Sequence, residues 1–170
     1  MNRRMLVACI AIGAAALCVP ALVKFPARLV YNPSDSVARG WYRIGSPDSL
    51  HVGGIVLVRL PAGVAAFAAQ RGYLPAGVAL LKRVGAVAPQ SVCVGEGVVR
   101  IDGVAVAAVL AVDGVGRPLS PWAQCRSLVD GELFLLSYGH RASFDSRYFG
   151  TVEASVVIGS AHPLWTWGTP

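Results

Sequence analysis

The longest apolar run lies at the start of the chain. Residues 5–23 carry no charge, Arg3 and Arg4 precede them, and Lys24 closes the run. A helix of that length is near the minimum that spans a bilayer. The leading arginines predict a cytoplasmic N-terminus and an exported C-terminal domain. The competing expectation is a cleaved signal peptide, with Val19-Pro20-Ala21 as its processing site. Beyond the run, apolar residues fall into short stretches separated by Gly, Pro and Asp. Residues 40–44 predict a short strand, 45–48 a turn, and 55–60 (Ile-Val-Leu-Val-Arg-Leu) a strong strand. Pro61 opens a helix over 62–71 that Gly72 stops, and 73–77 is a loop. Residues 78–84 predict an apolar strand carrying Lys82 and Arg83. Asp102-Gly103, between two β-prone runs in 98–106, marks a hairpin. A Gly-rich loop at 113–118, a turn at Asp130-Gly131, a strand over 132–138, a polar loop at 139–143 and a last strand over 152–159 complete the pattern. One helix amid many short strands predicts a mainly β, antiparallel domain.

Composition adds three constraints. The 170 residues divide into an anchor or signal segment at 1–24 and a domain at 25–170, long enough for one core. The net charge of +6 comes from scattered basic residues with no aromatic-interleaved basic run. That excludes nucleic acid as a partner and favours a weak attraction to anionic lipid heads. The basic residues are mostly arginine, and Lys24 and Lys82 are the two lysines. Arg stays protonated in a protein, whereas a buried Lys can give its proton up. Of the four cysteines, Cys9 and Cys18 lie in the apolar run and read as small hydrophobes. Cys93 and Cys125 lie in the exported part, where an oxidising compartment would let them form one disulfide. Their spacing matches no metal site, and no cofactor is implied.

The candidate chemistry centres on residues 32–42, where Ser34 and Ser36 sit two apart. About a dozen residues separate Ser36 from the apolar run, a reach of roughly 40 Å at most. Ser36 is therefore expected near the membrane surface, with Lys24, Phe25, Arg28 and Tyr31 at interfacial positions. A serine nucleophile needs a base. His51, His140 or His162 with Asp145 would give a Ser-His-Asp triad, but none sits in a nucleophile-elbow context. The other base is Lys82, which strand alternation turns to the same face as Leu80 and Val84. Burial there would lower its pKa and free a neutral amine. The alternative is a surface Lys that snorkels to solvent.

Ser34-Asp35-Ser36 ahead of Gly40-Trp41, then Leu81-Lys82-Arg83-Val84, then Asp145-Ser146-Arg147-Tyr148-Phe149-Gly150, in that order after an N-terminal anchor, resembles the type I signal peptidase family (S26 serine peptidases). The short length and variant boxes are similar to its conjugative-transfer, TraF-type branch. The resemblance covers most of residues 25–160. It implies a signal-peptidase/LexA-like antiparallel β-sheet protease core with one short helix, an N-terminal transmembrane helix and a reduced subdomain at about 86–128. It implies Ser36 as nucleophile, Lys82 as general base, and the Ser36 backbone N–H with the Ser34 hydroxyl as oxyanion hole. Ser143 would hold the lysine amine, and Asp145 with Arg147 would brace the site. Asp145 is also a candidate third catalytic residue. Ala38 departs from the family's proline two residues after the nucleophile, and Gly139-His140-Arg141-Ala142 departs from its Gly-Asp-Asn-Arg.

The function so implied is a membrane-anchored Ser-Lys endopeptidase on the periplasmic face of a bacterial inner membrane. Its substrate would be a pilin-like or other exported precursor, matured by hydrolysis or by cyclisation, with other conjugation or type IV secretion components as partners. The alternatives are a non-enzymatic anchored β-domain subunit of such an apparatus, or a general signal peptidase I.

Overall fold

The computed structural model describes residues 2–22, 29–47 and 50–168, with the side chains of 16–22 left aside. Lys24, Phe25, Arg28, Asp48 and the side chain of Cys18, which entered the sequence expectations, lie outside this description. Helix α1 (Arg3–Leu22) covers the apolar run as far as Leu22. Among the described residues no helix is long and apolar enough to cross a membrane, so the spanning segment remains an expectation of the sequence.

The rest of the described chain forms two antiparallel sheets. The larger has seven strands in the order β1 (Leu29–Asn32), β2 (Arg39–Ile44), β11 (Val157–Trp167), β3 (Ile55–Val58), β4 (Leu80–Val87), β9 (Glu132–Leu136) and β10 (Val152–Glu153). The smaller has the order β7 (Val104–Ala108), β6 (Val98–Ile101), β5 (Ser91–Gly95) and β8 (Cys125–Ser127). It lies within the 86–128 segment.

Several strand expectations correspond to observed elements, and the departures have physical reasons. The helix after Pro61 is α2 (Ala62–Gln70), and Gly72 leaves it at φ 70°. The hairpin of β6 and β7 turns on Asp102 and Gly103, at φ 49° and 82°. A second turn of the same kind, Glu96-Gly97 at φ 52° and 74°, joins β5 to β6. The expected last strand, 152–159, is instead split. β10 ends at Glu153, a 3-10 turn spans Ala154–Val156, and β11 then runs to Trp167. Its pairing with β2 extends Thr166↔Gly40 and Trp167↔Arg39, so the neighbouring strand carries it past Gly159. A third, four-residue helix, α3 (Ser146–Phe149), lies in the Asp145–Gly150 stretch, so there is more than the one expected helix.

Strand β4 is central, hydrogen-bonded to β3 on one side and β9 on the other. It is covered on both faces: Leu81 joins a core with Val37, Tyr42 and Leu57, while Val84 joins one with Val56, Val58 and Leu135. The third core packs Phe134 and Leu136 of β9 against Val92, Val94, Val99 and Ile101 of the smaller sheet. β9 thus fastens the two sheets together. Cys93 and Cys125 are direct cross-strand partners on β5 and β8 and are disulfide-bonded. The bridge closes a loop with a sequence separation of 32 residues. Loop-closure entropy then predicts that the Cys93→Ser/Cys125→Ser double variant loses about 3–4 kcal/mol of stability. Urea denaturation of the oxidised wild type beside the double variant measures this loss.

Candidate active site

The segment that carries Ser34 and Ser36 begins where β1 ends. Asn32 is 4% exposed, and its side chain organises the turn that follows. Its Nδ2 donates to the carbonyls of Ser34 (2.8 Å), Val37 (3.0 Å) and Ala38 (3.2 Å). Its Oδ1 accepts from the Ser34 N–H at 3.3 Å and from the Ser34 hydroxyl at 2.9 Å. Tyr42, fully buried on β2, donates its hydroxyl to the Ala38 carbonyl at 2.6 Å. Side-chain hydrogen bonds therefore fix the turn at Ala38, where the family pattern has a proline. Ser36 Oγ lies 2.9 Å from Ser34 Oγ and 3.1 Å from the Leu81 carbonyl, to which it donates. Val37, next in sequence, is 1% exposed and plugs the turn into the core.

Lys82 comes from β4 and is 2% exposed, on the same face as Val84. Its Nζ donates to Ser137 Oγ at 2.9 Å and to Ser143 Oγ. Burial pulls the amine down to about 8. The Asp145 charge opposes that shift and the Arg147 charge adds to it. Ser36 and Lys82 line one cleft of about 610 Å³, together with Ser34, Ser143 and His140. Among the described residues the two are not directly hydrogen-bonded. Their link runs through Ser137, whose hydroxyl donates to the Ser36 carbonyl at 2.8 Å.

Asp145 and Arg147 form a buried ion pair behind the cleft, at 0% and 1% exposure. Arg147 Nε meets Asp145 Oδ1 at 2.7 Å and Nη2 meets Oδ2 at 2.8 Å. The carboxylate also caps α3 through the Arg147 N–H (3.2 Å) and accepts the Ser137 N–H (3.1 Å). The other guanidinium protons go to the carbonyls of Ala108, His140, Arg141 and Ser143. Arg147 thus braces the loop at 139–143, and Asp145 the backbone just beyond β9. Its oxygens contact no amine of Lys82.

Among the described residues no histidine side chain is hydrogen-bonded to Ser36 Oγ or to the Asp145 carboxylate, although His140 lines the cleft. Ser36 Oγ pairs with Ser34 and Leu81, and Asp145 with Arg147 and Ser137. His51 and His162 are absent from the cleft lining. Among the described residues no group of three or more His, Cys, Asp or Glu could hold a metal ion. Ser137 is the site residue that motif reading passes over. Its signal was local: in Glu-Leu-Phe-Leu-Leu-Ser, Ser137 occupies the alternation face of Leu133 and Leu135, a core position given to a hydroxyl.

A family model described as signal peptidase, peptidase S26, matches residues 1–167. A plasmid transfer protein TraF of Escherichia coli is 31% identical over 151 residues, covering 84% of this chain and 78% of that protein. A probable conjugal transfer protein TraF of Sinorhizobium fredii is 35% identical over 150 residues, covering 82% and 77%. A crystal structure of a signal peptidase I from Enterococcus faecalis aligns with a TM-score of 0.39 at 19% identity, over 66% of this chain and 97% of that one.

Two outcomes follow from the site's electrostatics. The folded Lys82 amine titrates near 8 and the unfolded one near 10.5. Between those values the unfolded chain holds the extra proton, so stability rises with pH, by about 3 kcal/mol in all. Guanidinium denaturation from pH 7 to 10.5 should show this rise in the wild type and a smaller one in Lys82→Met. Arg147→Met leaves a buried carboxylate unpaired and should cost about 3–5 kcal/mol in the same assay. Arg147→Met/Asp145→Asn should recover part of that loss.

Proposed function

The chain belongs to the signal peptidase, peptidase S26, family and to its TraF branch, and from that premise we propose that it is a membrane-anchored serine endopeptidase using a Ser36–Lys82 dyad. The observation that carries this reading is the buried Lys82 amine, lowered towards neutrality, in one cleft with Ser36 and joined to its carbonyl through Ser137. A lysine on a central strand with no solvent has no use for its charge in folding. A neutral amine there can act as a base near the working pH.

In the proposed cycle Lys82 Nζ takes the Ser36 hydroxyl proton as Oγ bonds to the scissile carbonyl carbon. The Ser36 N–H and the Ser34 hydroxyl donate to the developing oxyanion, a contribution worth roughly 10²–10³ in rate for one donor. As the C–N bond breaks, Lys82 returns the proton to the leaving amine. An acyl-enzyme on Ser36 remains for water, or for an amine of the released chain, to attack. Ser34 now donates to Asn32 Oδ1, so its hydroxyl would turn from that acceptor to the oxyanion. Ser36 would likewise leave the Leu81 carbonyl for the lysine amine, a rearrangement common between free and substrate-bound sites. An extended precursor segment would lie between 30–36 and 78–82, which face each other across the cleft.

The names of the relatives favour a substrate from a conjugation system, so we propose a pilin-like precursor, other transfer components as partners, and the α1 run as an inner-membrane anchor with the domain on the periplasmic face. Co-expression with the pilin precursor of its own transfer system tests the reading. Wild type should yield mature pilin, whereas Ser36→Ala and Lys82→Ala should each lower the processing rate by at least 10³-fold. The rate should rise with pH through a limb near 8, as the amine loses its proton. Undiminished maturation in both variants would leave the non-enzymatic apparatus subunit as the better account.

A further inference from the structure

Ser137 stands outside the motifs that single out the other site residues, yet its hydrogen bonds reach four of them. It lies one residue beyond β9, 2% exposed. The register Arg83↔Leu136 sets it across from Lys82. Its hydroxyl contacts Lys82 Nζ at 2.9 Å, Ser143 Oγ at 3.2 Å and the Ser36 carbonyl at 2.8 Å, and its N–H donates to Asp145 Oδ2 at 3.1 Å.

Counting protons gives each bond a direction. A serine hydroxyl has one proton. Of the three groups around Ser137 Oγ, the Ser36 carbonyl can only accept, so the Ser137 proton goes there. Its lone pairs then accept from Lys82 and from Ser143. Ser143, having given its proton to Ser137, accepts from Lys82. The amine has thereby used two N–H groups. Among the described residues no third acceptor lies within hydrogen-bond distance of Nζ. A neutral amine has two protons and one lone pair, which is the state this cage of hydroxyls satisfies.

We propose that Ser137 is a positioning residue: its hydroxyl ties the Lys82 amine to the Ser36 carbonyl in one hydrogen-bonded chain and so keeps the amine's lone pair for the Ser36 proton. This rests on the peptidase reading above. The tie spans the two parts of the fold that carry the dyad. Lys82 belongs to a central strand, while Ser36 sits on a turn anchored mainly to its own residues through Asn32. Ser137 touches both. Without its hydroxyl the Ser36 carbonyl and one Lys82 N–H lose their buried partner, and the turn is held to β4 by the Ser36 hydroxyl on the Leu81 carbonyl and the packing of Val37, neither of which touches the amine.

Ser137→Thr and Ser137→Val provide the test, because they have the same shape and differ only in the hydroxyl. The purified full-length chain in detergent micelles would be assayed on its pilin-like precursor. Lys82 Nζ would be followed by NMR after lysine labelling, in a Lys24→Arg background that leaves Lys82 as the one lysine. We expect Ser137→Thr to keep most of kcat and the Lys82 titration. Ser137→Val should lose roughly 10²-fold in kcat with little change in KM. Its Lys82 midpoint should move to lower pH, because an acceptor that favours the ammonium is gone. Equal kcat and equal titration in the two variants would overturn the proposal. If Ser36→Ala is inactive in that case, the peptidase reading survives; if Ser36→Ala is also active, that reading fails first.

Discussion

A guanidinium and a carboxylate with almost no access to water hold this site together. Burying the Arg147–Asp145 pair would be a net cost if either charge lacked partners. Here the guanidinium meets the carboxylate through Nε and Nη2, and Nη1 and Nη2 also reach four backbone carbonyls. Three of those carbonyls, from His140, Arg141 and Ser143, belong to a loop with no ladder of its own. The fourth, from Ala108, belongs to the smaller sheet. One side chain therefore shapes the loop that presents Ser143 and joins it to both sheets. The same carboxylate caps α3 and receives the Ser137 N–H.

The pair acts on Lys82 in two opposing directions. Asp145 favours the ammonium and Arg147 disfavours it, and with the charges side by side the two influences oppose each other. The largest influence is desolvation by burial on β4. A lone carboxylate in that place would hold the lysine charged, and a lone guanidinium would be buried without compensation. Pairing them lets the fold use strong, directional hydrogen bonds next to a base while burial sets its proton affinity.

How far this was legible in the sequence depends on range. Local chemistry read well: Gly72 ends α2 and Asp102-Gly103 makes a hairpin because both require only the residues at hand. Lys82 on an apolar strand pointed to burial, and the pairing of Cys93 with Cys125 followed from their number and place. Strand β11 was shortened in the reading because its second half, with Trp165 at 74% and Trp167 at 47% exposure, has no alternating core face and owes its extension to β2. β1 and β8 are too short to carry a pattern of their own. Ser137 carries no motif, since its partners lie 55, 6 and 101 residues away and a serine within the expected strand 132–138 reads as one more strand position.

Asn32 has a chemical consequence beyond geometry. An amide side chain that holds a turn for the life of a protein is exposed to ageing. Asparagine deamidates when the next backbone nitrogen attacks the side-chain carbonyl and closes a five-membered imide. The next residue here is Pro33, whose nitrogen has no proton to lose, so that ring closure is blocked. Conversion to aspartate would remove the donor that serves the carbonyls of Ser34, Val37 and Ala38 and would place a negative charge beside the Ser34 hydroxyl. The Asn-Pro pair thus protects the turn that carries Ser34 and Ser36 from imide-mediated deamidation: the residue that makes the contacts is followed by the one that denies it that ring closure.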